Sequence, residues 1–253
     1  MPAAVEIAGS GEAVVFVHGL GGTANVWAAQ AGIVSRHFKA IRPDLPGSGR
    51  SPRQGEISTP ALAEWLLALL RDQGLEAAHL VGHSYGSVIC QHAAAAQPAQ
   101  IRSLTLIGPI LAPSDAMRQA LRDRAATARA EGLVGIADAT VLAGTSAETK
   151  AHRPEVAGFV RELVMRQDAE CYAQTCEAIA ATQPADLSAV RCPALVLTGD
   201  EDATAPPAVA RAVADALGGA TLRVLRRCGH WTPIERAAEV SEHLIDFLFA
   251  QRR

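Results

Sequence analysis

Short apolar runs and helical patterns take turns along most of this chain. Ala13–His18 reads Ala-Val-Val-Phe-Val-His, and Phe38–Arg42, His79–Gly82, Ile101–Ile107, Ala194–Thr198 and Leu222–Leu225 are runs of similar length. Most lack the polar alternation of a half-buried strand. A strand covered by helices on both faces has that pattern. Between these runs, Ala24–Arg36, Thr59–Gln73, Tyr85–Ala96, Pro207–Leu217 and Ala237–Phe249 carry helical spacing. The alternation predicts an α/β fold built on a doubly wound, mostly parallel sheet.

One long stretch breaks the rhythm. Residues 109–186 hold no convincing strand and are rich in Ala, Arg and Glu, with helical spacing around Met117–Ala130 and Ala169–Ala181. We read 109–186 as a helical cap inserted over the C-terminal edge of the sheet, where open α/β sheets bind ligands. Residues 1–108 and 187–253 then form one core domain.

Size and composition agree with this plan. The chain has 253 residues, 49% hydrophobic and 19% charged, enough apolar material for one large buried sheet. Net charge is −3 with both signs dispersed. No basic block could track a phosphate backbone, so nucleic acid is not an expected partner. The start, Met-Pro-Ala-Ala-Val-Glu, has no positive n-region and no apolar stretch behind it, so no secretory leader is expected. Apolar runs such as Ala13–Val17 are too short to span a bilayer, so no membrane partner is expected either. The five cysteines are odd in number and scattered, which predicts buried thiols in a cytoplasmic protein.

The most informative stretch is Gly82-His83-Ser84-Tyr85-Gly86, at the junction of a predicted strand and a predicted helix. A serine on so tight a turn exposes its hydroxyl above the sheet, and glycine is needed two positions to either side. Ser84 is therefore the candidate nucleophile, and the helix behind it favours developing negative charge. The loop His18-Gly19-Leu20-Gly21-Gly22 follows the first strong strand. It can offer the Leu20 N–H, with the Tyr85 N–H, to an oxyanion. His18 is expected to brace this loop. Neither phosphate-loop pattern is present in it.

A serine hydroxyl needs a base with a pKa near neutrality, which points to histidine. His230, in Cys228-Gly229-His230-Trp231 after the last predicted strand, reaches the same sheet edge as Ser84. His83 is expected to point away from Ser84. His79 and His83 have a metal-like spacing but no third ligand, so no metal is expected. An acceptor carboxylate must hold the imidazole in one tautomer. Gly199-Asp200-Glu201-Asp202 ends a strand with three acids. Asp202 is the first choice, and Asp200 is the fallback, with capping the turn as its other role. The order Ser84, Asp202, His230 is that of nucleophile-elbow hydrolases.

Together these residues resemble the α/β-hydrolase superfamily. His18-Gly19 is like its oxyanion loop, and Asp44-Leu45-Pro46-Gly47-Ser48-Gly49-Arg50-Ser51 is like a structural turn. Gly82–Gly86 is like its elbow, Gly199-x-x-Asp202-x-x-x-Pro206 like its acid motif, and Gly229-His230 like its histidine loop. Within the superfamily the chain is most similar to the 3-oxoadipate enol-lactonases and small carboxylesterases. Met165-Arg166-Gln167-Asp168 through Cys176-Glu177-Ala178-Ile179, and Gly229 through Glu235, carry that likeness. In one place the chain departs from it. Enol-lactonases usually have Gly-Gly after the residue that follows the serine, and here Gly86-Ser87 stands there. That departure bears on the lactone substrate and leaves the triad intact.

The resemblance implies hydrolysis of a small ester or lactone without cofactor or metal. Trp27 or Trp231 would sandwich the substrate against the cap. Serine at position 84 argues against dehalogenase and epoxide-hydrolase chemistry, which would use aspartate there. Carbon–carbon hydrolysis of ring-cleavage products uses the same triad and stays open, as does a slow-turnover receptor. Arg118, Arg122 and Arg166 could hold a substrate carboxylate or simply line solvated helix faces. Oligomeric state, monomer or homodimer, stays open.

Overall fold

The computed structural model describes residues 3–252. In chain order the elements are β1 (Val5–Ala8), β2 (Ala13–Val17), α1 (Ala28–Val34), β3 (Lys39–Pro43), α2 (Thr59–Asp72), β4 (Ala78–His83), α3 (Tyr85–Ala96) and β5 (Ile101–Ile107). Five helices follow without a strand: α4 (Asp115–Glu131), α5 (Val134–Gly144), α6 (Ala147–His152), α7 (Pro154–Met165) and α8 (Ala169–Ala181). The chain then returns through β6 (Ala194–Gly199), α9 (Pro207–Ala216), β7 (Thr221–Leu225), α10 (Thr232–Glu235) and α11 (Ala237–Ala250).

The seven strands form one sheet in the order β1-β3-β2-β4-β5-β6-β7. All neighbours are parallel except β1 and β3, whose register runs Val5↔Pro43 to Ala8↔Ala40. Every residue of β2, β4 and β6 is buried, as expected of central strands covered on both faces. Strand β7 departs from that expectation: as an edge strand it exposes Thr221, Arg223 and Val224. Helix α2 shows how the layers form. Ser58 caps its first turn, Pro60 sits where its missing N–H costs nothing, and Leu62, Leu66 and Leu70 recur at helical spacing on the buried face. Burying each such leucine contributes about 1.5–3 kcal/mol.

Two further elements differ from the sequence expectation. Strand β1 is four residues long and half-exposed at the sheet edge, so it leaves no apolar run to read. The helix expected over Ala24–Arg36 is two pieces. Thr23 caps a 3-10 turn at Ala24–Trp27 by accepting from the Asn25 N–H, and α1 follows from Ala28. Trp27 closes that turn with its indole turned into the core.

The register sets the strand ends level. Val17 pairs with Gly82, His83 with Ile107 and Gly199 with Leu225. The loops after β2, β4, β5, β6 and β7 therefore open on one edge, flanking the point where chain order reverses across β2. Among the described residues no helix is long and apolar enough to cross a membrane.

The turn after β4 depends on two missing side chains. A β-carbon on Gly86 would lie 2.1 Å from the carbonyl oxygen of Val17 and 2.6 Å from that of His18. One on Gly82 would lie 2.5 Å from the carbonyl oxygen of Gly86. All of these are backbone atoms, so no rotamer change relieves the overlap. Gly86→Ala should therefore destabilise the fold by roughly 3 kcal/mol, the upper end of ordinary overpacking. A urea midpoint equal to that of the wild type would show that β2 and α3 can part at little cost.

Candidate active site

Between β4 and α3 the chain turns on Ser84, whose φ is 53°. A non-glycine residue in this region is strained, and strain persists only where the surroundings hold it. Here the Ser84 N–H donates to the Ile107 carbonyl at 2.9 Å, and the Ser84 carbonyl accepts from the N–H of Ser87 at 2.8 Å. The Ser87 hydroxyl donates to the same carbonyl at 2.5 Å. The result is a serine hydroxyl held above the sheet at the start of α3.

The loop after β7 brings His230 to it. The imidazole Nε2 lies 2.8 Å from Ser84 Oγ, and Nδ1 lies 2.9 Å from Asp202 Oδ2. A carboxylate can only accept, so Nδ1 carries the hydrogen and Nε2 is free to take the serine proton. The other Asp202 oxygen, Oδ1, accepts from the N–H groups of Thr204 and Ala205, each at 2.8 Å. Burial works against the Asp202 charge, but His230 and these N–H groups more than offset it, so its pKa is lowered. Burial also opposes a charged His230, yet the Asp202 carboxylate outweighs burial and raises its pKa above the ordinary 6.5, with Glu235 adding to the effect.

Asp200 stands elsewhere. It accepts from the Cys228 N–H at 3.1 Å, tying the β6 turn to the loop that carries His230. His83 does not reach Ser84. Its Nε2 donates to the His230 carbonyl at 2.7 Å, and its ring lies 5.1 Å from the His230 ring. Burial, with the His230 ring beside it, pushes the His83 pKa down to about 3, so it is a neutral prop for the His230 loop. His18 accepts from the Leu45 N–H at Nε2 and donates from Nδ1 to the Gly19 carbonyl at 2.9 Å. It thereby fixes the loop that carries Leu20. Among the described residues no group of three or more His, Cys, Asp or Glu could hold a metal ion.

Above the serine opens a cavity of about 390 Å³, at the small end of ligand sites. Leu20, Tyr85 and Trp231 line it from the core, and Met117, Arg124 and Tyr172 from the helices of 109–186. The Tyr85 N–H, at the first position of α3, is one that a helix leaves without an internal partner. Trp27 corrects an expectation. It is 0% exposed beneath the site, packed on Phe16 at 5.4 Å and edge-on to His83 at 6.4 Å, and does not line the cavity.

Two site residues gave no signal of their own in the sequence. Glu235, 2% exposed, accepts from the Gly229 N–H at 3.0 Å with one oxygen. With the other it accepts from the Ser146 N–H and the Thr149 hydroxyl, both at 2.7 Å. The His230 N–H in turn donates to the Gly144 carbonyl at 2.8 Å. This pins the inserted helices to the histidine loop. Gln167 does the same at the opposite loop, donating to the carbonyls of Gly21 and Gly22 at 3.3 Å and accepting from the Gly49 N–H at 3.1 Å. Both lie in stretches that carry the family likeness, but spacing alone names no partner for either.

Known proteins share this fold. Residues 14–243 match the model of the alpha/beta hydrolase family. The chain is similar to a thermophilic esterase from Thermogutta terrifontis, solved with malate bound, at 28% identity and a TM-score of 0.94, covering 99% of this chain and 94% of that one. The enol-lactonase from Burkholderia xenovorans superposes with a TM-score of 0.92 at 28% identity, covering 98% and 96%. The (E)-2-((N-methylformamido)methylene)succinate hydrolase of Acinetobacter baylyi is 26% identical over 77% of this chain and 74% of its own. With the family model spanning nearly the whole chain and the sheet, turn and loops arranged as described, this protein belongs to the α/β-hydrolase family.

Proposed function

We propose that the protein is a serine hydrolase that cleaves a small carboxylic ester or lactone through an acyl-enzyme. The observation that carries this reading is the unbroken chain Ser84 Oγ–His230–Asp202 at 2.8 and 2.9 Å, opening on a mostly apolar cavity. His230 takes the Ser84 proton as Oγ attacks the carbonyl carbon. The N–H groups of Leu20 and Tyr85 hold the resulting oxyanion. The tetrahedral adduct collapses, His230 gives its proton to the leaving alkoxide, and the alcohol departs. Water, losing its proton to His230, then attacks the acyl-enzyme and releases the acid and free Ser84. The helices of 109–186 act as a cap that forms the far wall of the cavity and limits substrate size. The enol-lactonase and esterase among the structural relatives support the ester or lactone class.

Titration gives a direct check. The base works only as neutral imidazole, and its pKa is raised above 6.5 by Asp202 against burial. The logarithm of kcat/KM should therefore fall with unit slope as the pH drops through a value above 6.5. A profile that stays flat between about pH 5 and 8 would remove His230 from the role of base.

A further inference from the structure

Arg124 carries the only permanent charge on the described wall of the active-site cavity. Other arginines of α4 are accounted for. Arg118 donates to the carbonyls of Ala180 and Thr182, Arg129 pairs with Glu170 and Glu177, and Arg122 is exposed to solvent. Arg124 is half-buried, and no carboxylate pairs with it among the described residues. Its polar partner is the hydroxyl of the buried Tyr172, which shares the cavity wall and, as a neutral phenol, leaves the guanidinium charge uncompensated. Burial pushes that phenol up to about 12, and Arg124 acts in the opposite sense. A guanidinium drawn partly out of water, facing mostly apolar walls, lacks a counter-charge that a ligand can supply.

We infer that Arg124 is an anion subsite, and that the substrate is a small ester or lactone bearing a carboxylate remote from the scissile carbonyl. A half-ester of a dicarboxylic acid and a lactone acid both meet that description. This rests on the hydrolytic reading above. A carboxylate suits the site better than a phosphate because its single charge is matched by one guanidinium, in a fork geometry that binds both oxygens. A dianion would be left half-neutralised against apolar walls.

The test compares mono-p-nitrophenyl adipate with p-nitrophenyl hexanoate, equal in length and differing in the terminal carboxylate. Wild type should favour the half-ester. Arg124→Gln should lower the ratio of kcat/KM values, half-ester over neutral ester, by about 10- to 100-fold, mainly through KM. Arg124→Lys should restore part of it. Calorimetry of monomethyl adipate on Ser84→Ala, with and without Arg124→Gln, reads the same contact without turnover. Equal losses on both esters would mean that Arg124 only props Tyr172 and α4, and would overturn the subsite. So would binding to Ser84→Ala that ignores Arg124→Gln. Binding that depends on Arg124, in a protein that turns over neither ester, upholds the subsite and removes the hydrolytic reading instead.

Discussion

Ser84→Ala should lower kcat/KM for short-chain p-nitrophenyl esters and for a lactone panel by about 10⁵- to 10⁶-fold, leaving the residual rate of an oxyanion hole without its nucleophile. The hydroxyl that is lost makes one hydrogen bond, to His230 Nε2, and the β-carbon that sits against Gly19 is kept. The fold should survive, and a thermal melt close to the wild type would confirm that the loss is chemical. Mass spectrometry of the wild type stopped early in turnover should find one acyl group on the peptide that contains Ser84. An alanine variant as active as the wild type would place the attacking group elsewhere and dissolve the acyl-enzyme cycle.

Asp202→Asn is expected to cost about 10⁴-fold in kcat with little change in KM. The reason lies in the hydrogens. Asp202 Oδ1 accepts from two backbone N–H groups, so an asparagine will turn its carbonyl oxygen to Thr204 and Ala205. Its NH₂ then faces His230 Nδ1, which must accept. The ring hydrogen moves to Nε2 and points at Ser84, where a proton has to be received. Asp200→Asn removes a contact to the Cys228 N–H and leaves the tautomer alone, so its effect should stay within about tenfold. Steady-state kinetics on the pair decides between the two acids. Equal losses would mean that the turn as a whole, rather than one carboxylate, sustains the base.

Much of this architecture is legible in the sequence, for a physical reason. The tight turn at Ser84 needs glycine at 82 and 86, and the central strands need unbroken apolar runs, so each leaves a local trace. Trp27 is legible as a large aromatic near the His18–Gly22 loop, but whether it faces ligand or core depends on the 3-10 turn at Ala24–Trp27, which mimics the start of a helix. Asp200 and Asp202 differ in sequence only by family likeness. The distinction is made in space, by which carboxylate meets Nδ1 of a residue 28 positions later. Glu235 and Gln167 are silent because the partners they reach across the fold lie 89 and 118 residues away. A long-range partner has no period.

The clamp at Glu235 limits how this architecture can be recombined. A carboxylate with almost no solvent contact depends on the N–H of Ser146, the hydroxyl of Thr149 and the N–H of Gly229 for its solvation, and the peptide N–H of His230 depends on Gly144. A chimera that received the 109–186 segment of another hydrolase would have to bring matching donors and a matching carbonyl with it. Without them, one oxygen of the buried Glu235 carboxylate would lose both of its donors beside the histidine loop. The segment and the histidine loop are thereby coupled: the cavity wall can be exchanged at little cost only where Gly144, Ser146 and Thr149 keep their bonds to His230 and Glu235.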